Sequence, residues 1–316
     1  MASSVPNGGS SPGASRGQGP SEQALLGRSQ NLAANLPALL LAAERVAATV
    51  QQGLHGRRRV GQGDSFWQFR RYHPGDAAQR IDWRQSAKTE ALFVRETEWE
   101  AAASVWLWRD ASASMRFASS PRVEQKMERA DLLLLALASL LIDGGERVAL
   151  LGDGRRPATG RAVLRRLAHQ IDEQRAGDAK RFANLPAEIP LPPYANVVWL
   201  SDFLDPPETI EACVRFYASL GVHGHLVQVL DQAEETLPYD GHVRFDGMEG
   251  EGEERIRRVE TIRAGYHRRL QAQREALARI TQSVGWTLHH HRTDKPPQTA
   301  LLALYTALAE SAGMGR

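Results

Sequence analysis

The sequence predicts an α/β fold in which a largely parallel sheet is covered by helices on both faces. The main observation is that short apolar runs alternate with longer segments of helical periodicity from residue 104 onward, a pattern typical of parallel sheets. Glycines at 144, 145 and 221 mark the ends of two predicted helices. The 316 residues are enough for one large domain or two small ones.

Composition divides the chain into three predicted regions. Residues 1–22 are dominated by Gly, Ser and Pro and predict a disordered tail. Residues 36–100 begin with a predicted helix, Pro37–Gln52, and continue with loops and short strands rich in Gly, Arg and aromatic residues. Within this second region, Leu92–Arg95 is a predicted strand. Residues 101–316 form the predicted α/β domain.

The elements of the third region follow from its apolar periodicity. Its predicted strands are Ser104–Arg109, Arg147–Leu151, Asn196–Ser201, Gly224–Leu230 and Trp286–His291. Its predicted helices are Val123–Ile142, Arg161–Gln174, Pro207–Leu220, Glu254–Ser283 and Pro297–Ala312.

Charge and cysteine content limit the possible functions. A net charge of +2 provides no overall field that would attract nucleic acid, so we expect no nucleic-acid partner. The single cysteine, Cys213, excludes an intrachain disulfide. The longest apolar run, Leu132–Ile142, is well short of the roughly 20 residues that span a bilayer. The N-terminus lacks a secretory signal pattern, and the expected location is the cytoplasm.

An acid and two hydroxyls follow the first strand of the predicted α/β domain. Asp110, Ser112 and Ser114 alternate along one turn, so that their oxygens point toward one position. Hard oxygen ligands suit Mg²⁺, and also Mn²⁺ or Ca²⁺. Asp202 ends the strand Asn196–Ser201 and supplies a second acid, and Thr159 is our candidate for a fifth ligand. We therefore predict a divalent-cation site at the carboxyl edge of the sheet.

Three functions are compatible with this pattern. A cation held by hydroxyls and carboxylates keeps an open position, which an acidic side chain of a protein partner can fill. A metal-dependent hydrolase would instead need a general base near the metal-bound water, and no histidine or spare carboxylate lies near these strand ends in the sequence. In the third case, Asp110 and its serines bind no metal and only cap the next helix. The first function, a non-enzymatic interaction module, is favoured.

A second group of residues combines arginine, aspartate and aromatic side chains. It is either an ion-pair network that fixes the loops of the second region or a docking surface for a partner, and the two interpretations are about even. Its members are Arg70, Tyr72, Asp76, Arg80, Asp82 and Trp83.

Two resemblances follow from these motifs. The strand–helix series with Asp110, Ser112, Ser114 and Asp202 resembles a von Willebrand factor A domain with a metal-ion-dependent adhesion site. More specifically, the chain resembles the bacterial domain of unknown function 58 family. Its signature is matched here by Gly61, Gly63, Phe66, Arg70, Tyr72, Pro74, Gly75, Asp76, Arg80, Ile81, Asp82, Trp83, Ser86, Ala87 and Lys88.

The resemblance implies a Rossmann-like, three-layer von Willebrand A fold with a small preceding β module. It also implies a partnership with MoxR-type AAA+ ATPases, in which the pair acts as a chaperone that matures other proteins. For the acid–hydroxyl motif, it implies a magnesium-type adhesion site.

Overall fold

The computed structural model describes residues 40–51, 66–72, 81, 83–88, 91–97, 104–177, 182–248 and 252–314. The predicted tail, residues 1–22, lies outside these ranges. Within them, no helix combines the length and the apolarity that crossing a membrane would require.

The elements are numbered in chain order. The strands are β1 Phe66–Arg71, β2 Phe93–Thr97, β3 Ser104–Arg109, β4 Arg147–Leu150, β5 Asn196–Ser201, β6 His223–Leu230, β7 Val243–Asp246, β8 Glu253–Ile256 and β9 Thr287–Arg292. The helices are α1 (residues 40–51), α2 Trp83–Ser86, α3 Lys126–Asp143, α4 Arg161–Ala176, α5 Pro207–Ser219, α6 Gln232–Thr236, α7 Val259–Ser283 and α8 Pro297–Met314.

Five strands form the central sheet, in the order β4-β3-β5-β6-β9. Every pairing within this sheet is parallel. Strands β1 and β2 form a separate antiparallel pair that precedes it, and β7 pairs with β8. The mostly parallel sheet with flanking helices is consistent with a Rossmann-like fold, as the sequence predicts.

Alternate residues of the central strands enter two different apolar cores. Leu107, Val198 and Val227 belong to a core on one face of the sheet, built with helices α1, α3, α4 and α8. Trp106 and Trp199 belong to a core on the other face, built with α5 and α7. Because successive side chains of a strand point to opposite faces, these continuous apolar runs are buried on both sides and the molecule has three layers.

Helix α1 contributes to the core of the central sheet. Its buried residues Ala43, Val46, Ala47 and Val50 belong to the same apolar cluster as helices α3 and α8. We predicted this helix as part of the 36–100 region. The boundary near residue 100 stays a prediction, but the packing of α1 is with the α/β domain.

Most predicted element boundaries are close to the observed ones, and strands β3 and β5 match them residue for residue. The predicted helix Glu254–Ser283 is wrong at its start. Residues Glu253–Ile256 form strand β8, which pairs with β7, and the helix begins at Val259. Gly252, with φ 92°, adopts a backbone conformation that L-residues disfavour and precedes this strand.

The strand order gives the central sheet a switch point, where the chain reverses the direction in which it adds strands. Counted within the sheet alone, the strands follow the order 2-1-3-4-5, and the chain changes direction across the sheet between β3 and β5. Open α/β sheets bind their ligands outside the carboxyl ends of the strands at such a switch point. The residues that follow β3 and β5 are therefore in the position where this fold class places a site.

Candidate functional site

The register of β3 and β5 brings two strand-end acids to the same edge of the sheet. Arg109 is paired with Leu200, and the amide of Asp110 donates a hydrogen bond of 2.8 Å to the Leu200 carbonyl. Asp110 and Asp202 therefore leave the sheet side by side. Both are buried, with exposed fractions of 0% and 2%.

The Asp110 carboxylate is held by hydrogen bonds from Ser112 and Ser201. Its Oδ1 accepts from the amide of Ser112 at 2.8 Å, and its Oδ2 accepts from the hydroxyl of Ser201, also at 2.8 Å. The Ser201 oxygen in turn accepts from the amide of Phe203 at 3.0 Å. Ser201 is a member of the site that our sequence reasoning missed, although it directly precedes Asp202.

A chain of hydroxyls connects the β3 loop with Asp202. The oxygens of Ser112 and Ser114 are 3.1 Å apart, and the Ser114 hydroxyl donates to Asp202 Oδ2 at 2.8 Å. Ser112 is buried, whereas Ser114 is partly exposed. The structure thus brings together four of the five predicted ligands, and Ser114 provides the side of the cluster nearest to solvent.

A lysine also enters this cluster. The Lys126 ammonium donates to Asp202 Oδ2 at 2.8 Å and to Glu234 Oε1 at 2.6 Å, and its side chain is fully buried. Lys126 is the first residue of α3, and Glu234 lies on the short helix α6 that follows β6. Burial acts to lower the pKa of Lys126, but the two carboxylates outweigh this effect and the pKa is raised. The lysine is therefore a fixed positive charge.

Asp110 forms no ion pair with any of the described residues. The ion pairs of Lys126 engage Asp202 and Glu234 instead. Burial, together with the nearby Asp202 charge, raises the pKa of Asp110 to about 7. Additional positive charge beside Asp110 would favour its ionised form.

The oxygen set fits a hard divalent cation in its chemistry. In the part of the chain that the structure describes, no three His, Cys, Asp or Glu side chains form a group that could hold a metal ion. The cluster instead combines two carboxylates, from Asp110 and Asp202, with the hydroxyls of Ser112, Ser114 and Ser201. Carboxylate and hydroxyl oxygens are suitable Mg²⁺ ligands.

The structure does not bring Thr159 to this cluster. Ala158 exchanges both backbone hydrogen bonds with Val148, at 2.9 and 3.1 Å, and Val148 pairs with Val105 near the amino end of β3. Roughly 16 Å of strand separates this level from Asp110, at about 3.3 Å per residue. Thr159 is exposed on the way to helix α4, and its assignment as a fifth ligand is wrong.

Helix capping does not account for Asp110 either. The next helical turn, the 3-10 helix Ser114–Arg116, follows Ala113 and has no side-chain cap. Helix α3 begins only at Lys126, after Gln125, whose amide donates to Glu128 at 3.1 Å. Asp110 accepts only from Ser112 and Ser201 among the hydrogen bonds described above. The capping interpretation is therefore not supported, and the site stays a candidate for cation binding.

The second group of predicted residues is only partly described. Asp76, Arg80 and Asp82 lie outside the described residues, and Arg70 is described only by its backbone, which pairs with Val94 in the β1–β2 sheet. The Tyr72 amide donates to the Leu92 carbonyl at 2.8 Å. Trp83 starts α2 and is 65% exposed, which is unusual for a tryptophan. The docking interpretation stays a prediction.

A separate charged cluster lies next to the site. Arg109, which directly precedes Asp110, forms an ion pair with Asp131 of α3, and Asp131 also pairs with Arg175 of α4. Arg109 donates to the Ile171 carbonyl at 3.1 Å, and Arg116 donates to the Gly177 carbonyl at 2.9 Å. These contacts fix the end of β3 and the end of α4 against each other.

Fold and site together define an α/β protein with an oxygen-rich, acidic site at the switch point of a parallel sheet. The chain belongs to the family described as protein of unknown function DUF58, whose profile matches residues 68–276. The resemblance to the domain of unknown function 58 family is thereby confirmed, whereas the von Willebrand A resemblance stays a prediction.

Curated relatives cover most of the chain. Uncharacterised proteins of Mycobacterium bovis and Mycobacterium tuberculosis are 28% identical to it over 278 residues, which is 84% of this chain and 86% of each relative.

Two solved structures also match. They are a conserved hypothetical protein, BatB, of Bacteroides thetaiotaomicron and an uncharacterised membrane-spanning protein of Vibrio fischeri. The first is 14% identical, with a TM-score of 0.37, over 67% of this chain and all of its own. The second is 13% identical, with a TM-score of 0.17, over 66% of this chain and 97% of its own. Scores this low do not define a shared fold.

Proposed function

We propose that this chain is a non-enzymatic protein-interaction module of the von Willebrand A type, which binds an acidic group of a partner through a divalent cation such as Mg²⁺. One observation carries the proposal. The carboxylates of Asp110 and Asp202 and the hydroxyls of Ser112 and Ser114 meet at the switch point of a parallel sheet, where this fold class binds ligands.

The charge balance of the site supports a cation. Asp110, Asp202, Asp231 and Glu234 are buried or partly buried near one edge, and Lys126 is the cation paired with two of them. A bound cation would neutralise part of this excess and keep residual positive charge for a carboxylate of the partner. Ser114, the partly exposed ligand, lies on the side from which such a group would approach.

The contacts of the two acids favour binding over hydrolysis. Asp110 accepts from an amide and a hydroxyl, and Asp202 accepts from the Ser114 hydroxyl and the Lys126 ammonium. A hydrolase would need a further carboxylate or histidine that is free to take a proton from water. Glu234, the next acid, is committed to Lys126 through Oε1 and to the amide of Asp231 through Oε2.

The family resemblance extends the proposal to a class of partner. We propose that the module works in the cytoplasm with a MoxR-type AAA+ ATPase, in the maturation of other proteins. Exposed Trp83 in the region of the family signature is a candidate contact for this partner or for a client.

The metal part of the proposal is tested by thermal unfolding. Mg²⁺ should raise the melting temperature of the wild type, since a ligand that binds only the folded state stabilises it by about 2.7 kcal/mol at a hundredfold excess over Kd. The variants D110N and S112A should lose most of this gain. A T159A control should keep it. An equal rise in the wild type and D110N would contradict the proposal.

The partner is tested separately with purified proteins. A MoxR-type ATPase should bind the wild type in the presence of Mg²⁺ and bind more weakly after EDTA treatment of this chain or in D110N. The ATPase itself needs Mg²⁺ for nucleotide, and the D110N comparison at constant Mg²⁺ removes this ambiguity. Equal binding by the wild type and D110N would contradict a metal-dependent contact.

A further inference from the structure

The Lys126 ammonium donates a hydrogen bond to one of the oxygens that the proposed metal site needs. Asp202 Oδ2 accepts both from Lys126 Nζ and from the Ser114 hydroxyl, each at 2.8 Å. This carboxylate oxygen is therefore shared between the acid–hydroxyl motif and a positive charge that belongs to the protein itself.

The lysine is held firmly in this position. Its side chain is fully buried, its ammonium lies 5.9 Å from the centre of the Phe117 ring, and its own amide donates to the Phe117 carbonyl at 3.2 Å. Such a distance to an aromatic ring permits a favourable cation–π contact. The Lys126 side chain is thus surrounded by two acids and an aromatic ring.

Glu234 is placed to share the lysine. Its Oε2 accepts from the amide of Asp231 at 2.8 Å, which fixes the start of α6. The Tyr266 hydroxyl of α7 donates to the Glu234 carbonyl. With its backbone and one carboxylate oxygen fixed, Glu234 presents the other oxygen to Lys126 at 2.6 Å, so a second acid is available to the ammonium at a short distance from Asp202.

We propose that Lys126 is an internal competitor for the divalent cation and thereby sets the affinity of the site. This inference rests on the proposed metal-binding function. The ammonium and a metal ion cannot both bind Asp202 at full strength, because two cations at one carboxylate repel each other. Cation binding therefore weakens the Lys126–Asp202 contact, and the lysine is retained by Glu234.

The test is a titration of MgCl₂ into the metal-free full chain by calorimetry at fixed ionic strength. The informative variant is K126M/E234Q, which removes one positive and one negative charge and leaves the net charge of the edge unchanged. We expect its affinity for Mg²⁺ to be about tenfold higher than that of the wild type, because the removed ammonium contacts Asp202 directly, whereas the removed Glu234 carboxylate contacts the ammonium.

A matched control removes an ion pair between the same helix and the residues that precede it. Arg129 pairs with Glu124 at 2.8 Å, close to Lys126, and among the described residues this pair makes no contact with Asp202. The control R129M/E124Q should bind Mg²⁺ as the wild type does. Circular dichroism of each variant, compared with the wild type, establishes that it is folded.

The outcomes separate this inference from the proposed function. Tighter binding by K126M/E234Q supports the inference, and so does binding by this variant alone. Equal Kd values for the wild type and K126M/E234Q would overturn the competition while leaving the metal site in place. Absence of binding in both would overturn the competition and the proposed function together.

A second measurement uses the wild type and does not depend on the folding of a variant. The sequence has four lysines, at 88, 126, 180 and 295, so acetylation by acetic anhydride can be followed for each by mass spectrometry. Mg²⁺ should increase the labelling of Lys126 relative to exposed Lys295, because a side chain held by Glu234 alone is less protected from the reagent than one held by Asp202 and Glu234 together. Unchanged relative labelling under saturating Mg²⁺ would overturn the inference.

Discussion

Two charged clusters share the end of strand β3 and differ in how their charges are balanced. Arg109 and Asp110 are neighbours in the chain but belong to different clusters. Arg109 joins Asp131 and Arg175, where Asp131 forms ion pairs with both guanidinium groups. Asp110 joins a cluster in which several acids face one lysine.

This difference is why we assign a structural role to the first cluster and propose a cation site at the second. In the Asp131 cluster every carboxylate oxygen has an arginine, and the contacts tie β3, α3 and α4 together. In the Asp110 cluster a buried carboxylate is left without an ion pair among the described residues. Under the proposed function, charged residues in the same part of the sheet either stabilise the fold or prepare it for a cation, depending on the sign of the remaining charge.

The largest expected effect comes from removing Asp131, the acid that pairs with both Arg109 and Arg175. The substitution D131A should lower the free energy of unfolding by about 3–5 kcal/mol, because it leaves the buried Arg109 without its partner. Urea unfolding of the purified variant measures this change. The stabilisation by Mg²⁺ should persist wherever the variant is folded. A loss below about 1 kcal/mol would mean that the cluster is not the structural element described above.

A smaller effect is expected from the pH dependence of Asp110. Its pKa is raised from 3.8 to about 7 in the folded chain, so folding favours the protonated form. The resulting stabilisation is full below about pH 4 and is lost as the pH rises through 7. At about 1.4 kcal/mol per pKa unit, the loss amounts to at most about 4 kcal/mol.

The substitution D110N removes this dependence. In metal-free buffer, the stability of the wild type relative to D110N should fall between pH 5 and pH 8, and Mg²⁺ should oppose the fall. The comparison also cancels the contribution of His225 and His291 to the pH dependence of stability, because both proteins contain these residues. Burial lowers the pKa of each to about 4, so they destabilise the chain as the pH falls from 6.5 toward 4. A constant difference between the two proteins would contradict the charge imbalance.

A third effect, of about 1–3 kcal/mol, is expected at Ser201. Its buried hydroxyl donates to Asp110 and accepts from the Phe203 amide. The substitution S201A removes one hydrogen-bond partner from the Asp110 carboxylate and one from the Phe203 amide. The control is S219A, since the exposed Ser219 hydroxyl bonds only to the Phe216 carbonyl one turn earlier. Equal unfolding free energies for the two variants would show that Ser201 does not support the site.

The smallest effect is expected at Thr159. This exposed side chain lies near the amino ends of strands β3 and β4, away from the site. The substitution T159A should change stability by no more than about 0.5 kcal/mol. Calorimetry should give the same Mg²⁺ affinity for T159A and the wild type. Loss of Mg²⁺ binding in this variant would contradict the arrangement of the site.

Part of the site was predictable because it depends on local patterns. Strands β3 and β5 are apolar runs that end in Asp110 and Asp202, and the carboxyl ends of parallel strands share one edge of a sheet. The alternation of Asp110, Ser112 and Ser114 is equally local. Fold class, strand positions and four candidate ligands therefore followed from the sequence.

Only the tertiary structure decided which charges meet at this edge. Lys126 contacts residues 76 and 108 positions later in the chain, and as the first residue of a helix it has no sequence feature that predicts burial. The position of Thr159 was also decided by the tertiary structure, since it depends on the pairing of Ala158 with Val148 rather than on the motif. Backbone periodicity is set by neighbouring residues, whereas the balance of a buried charged cluster is set by side chains that only the packed helices bring together.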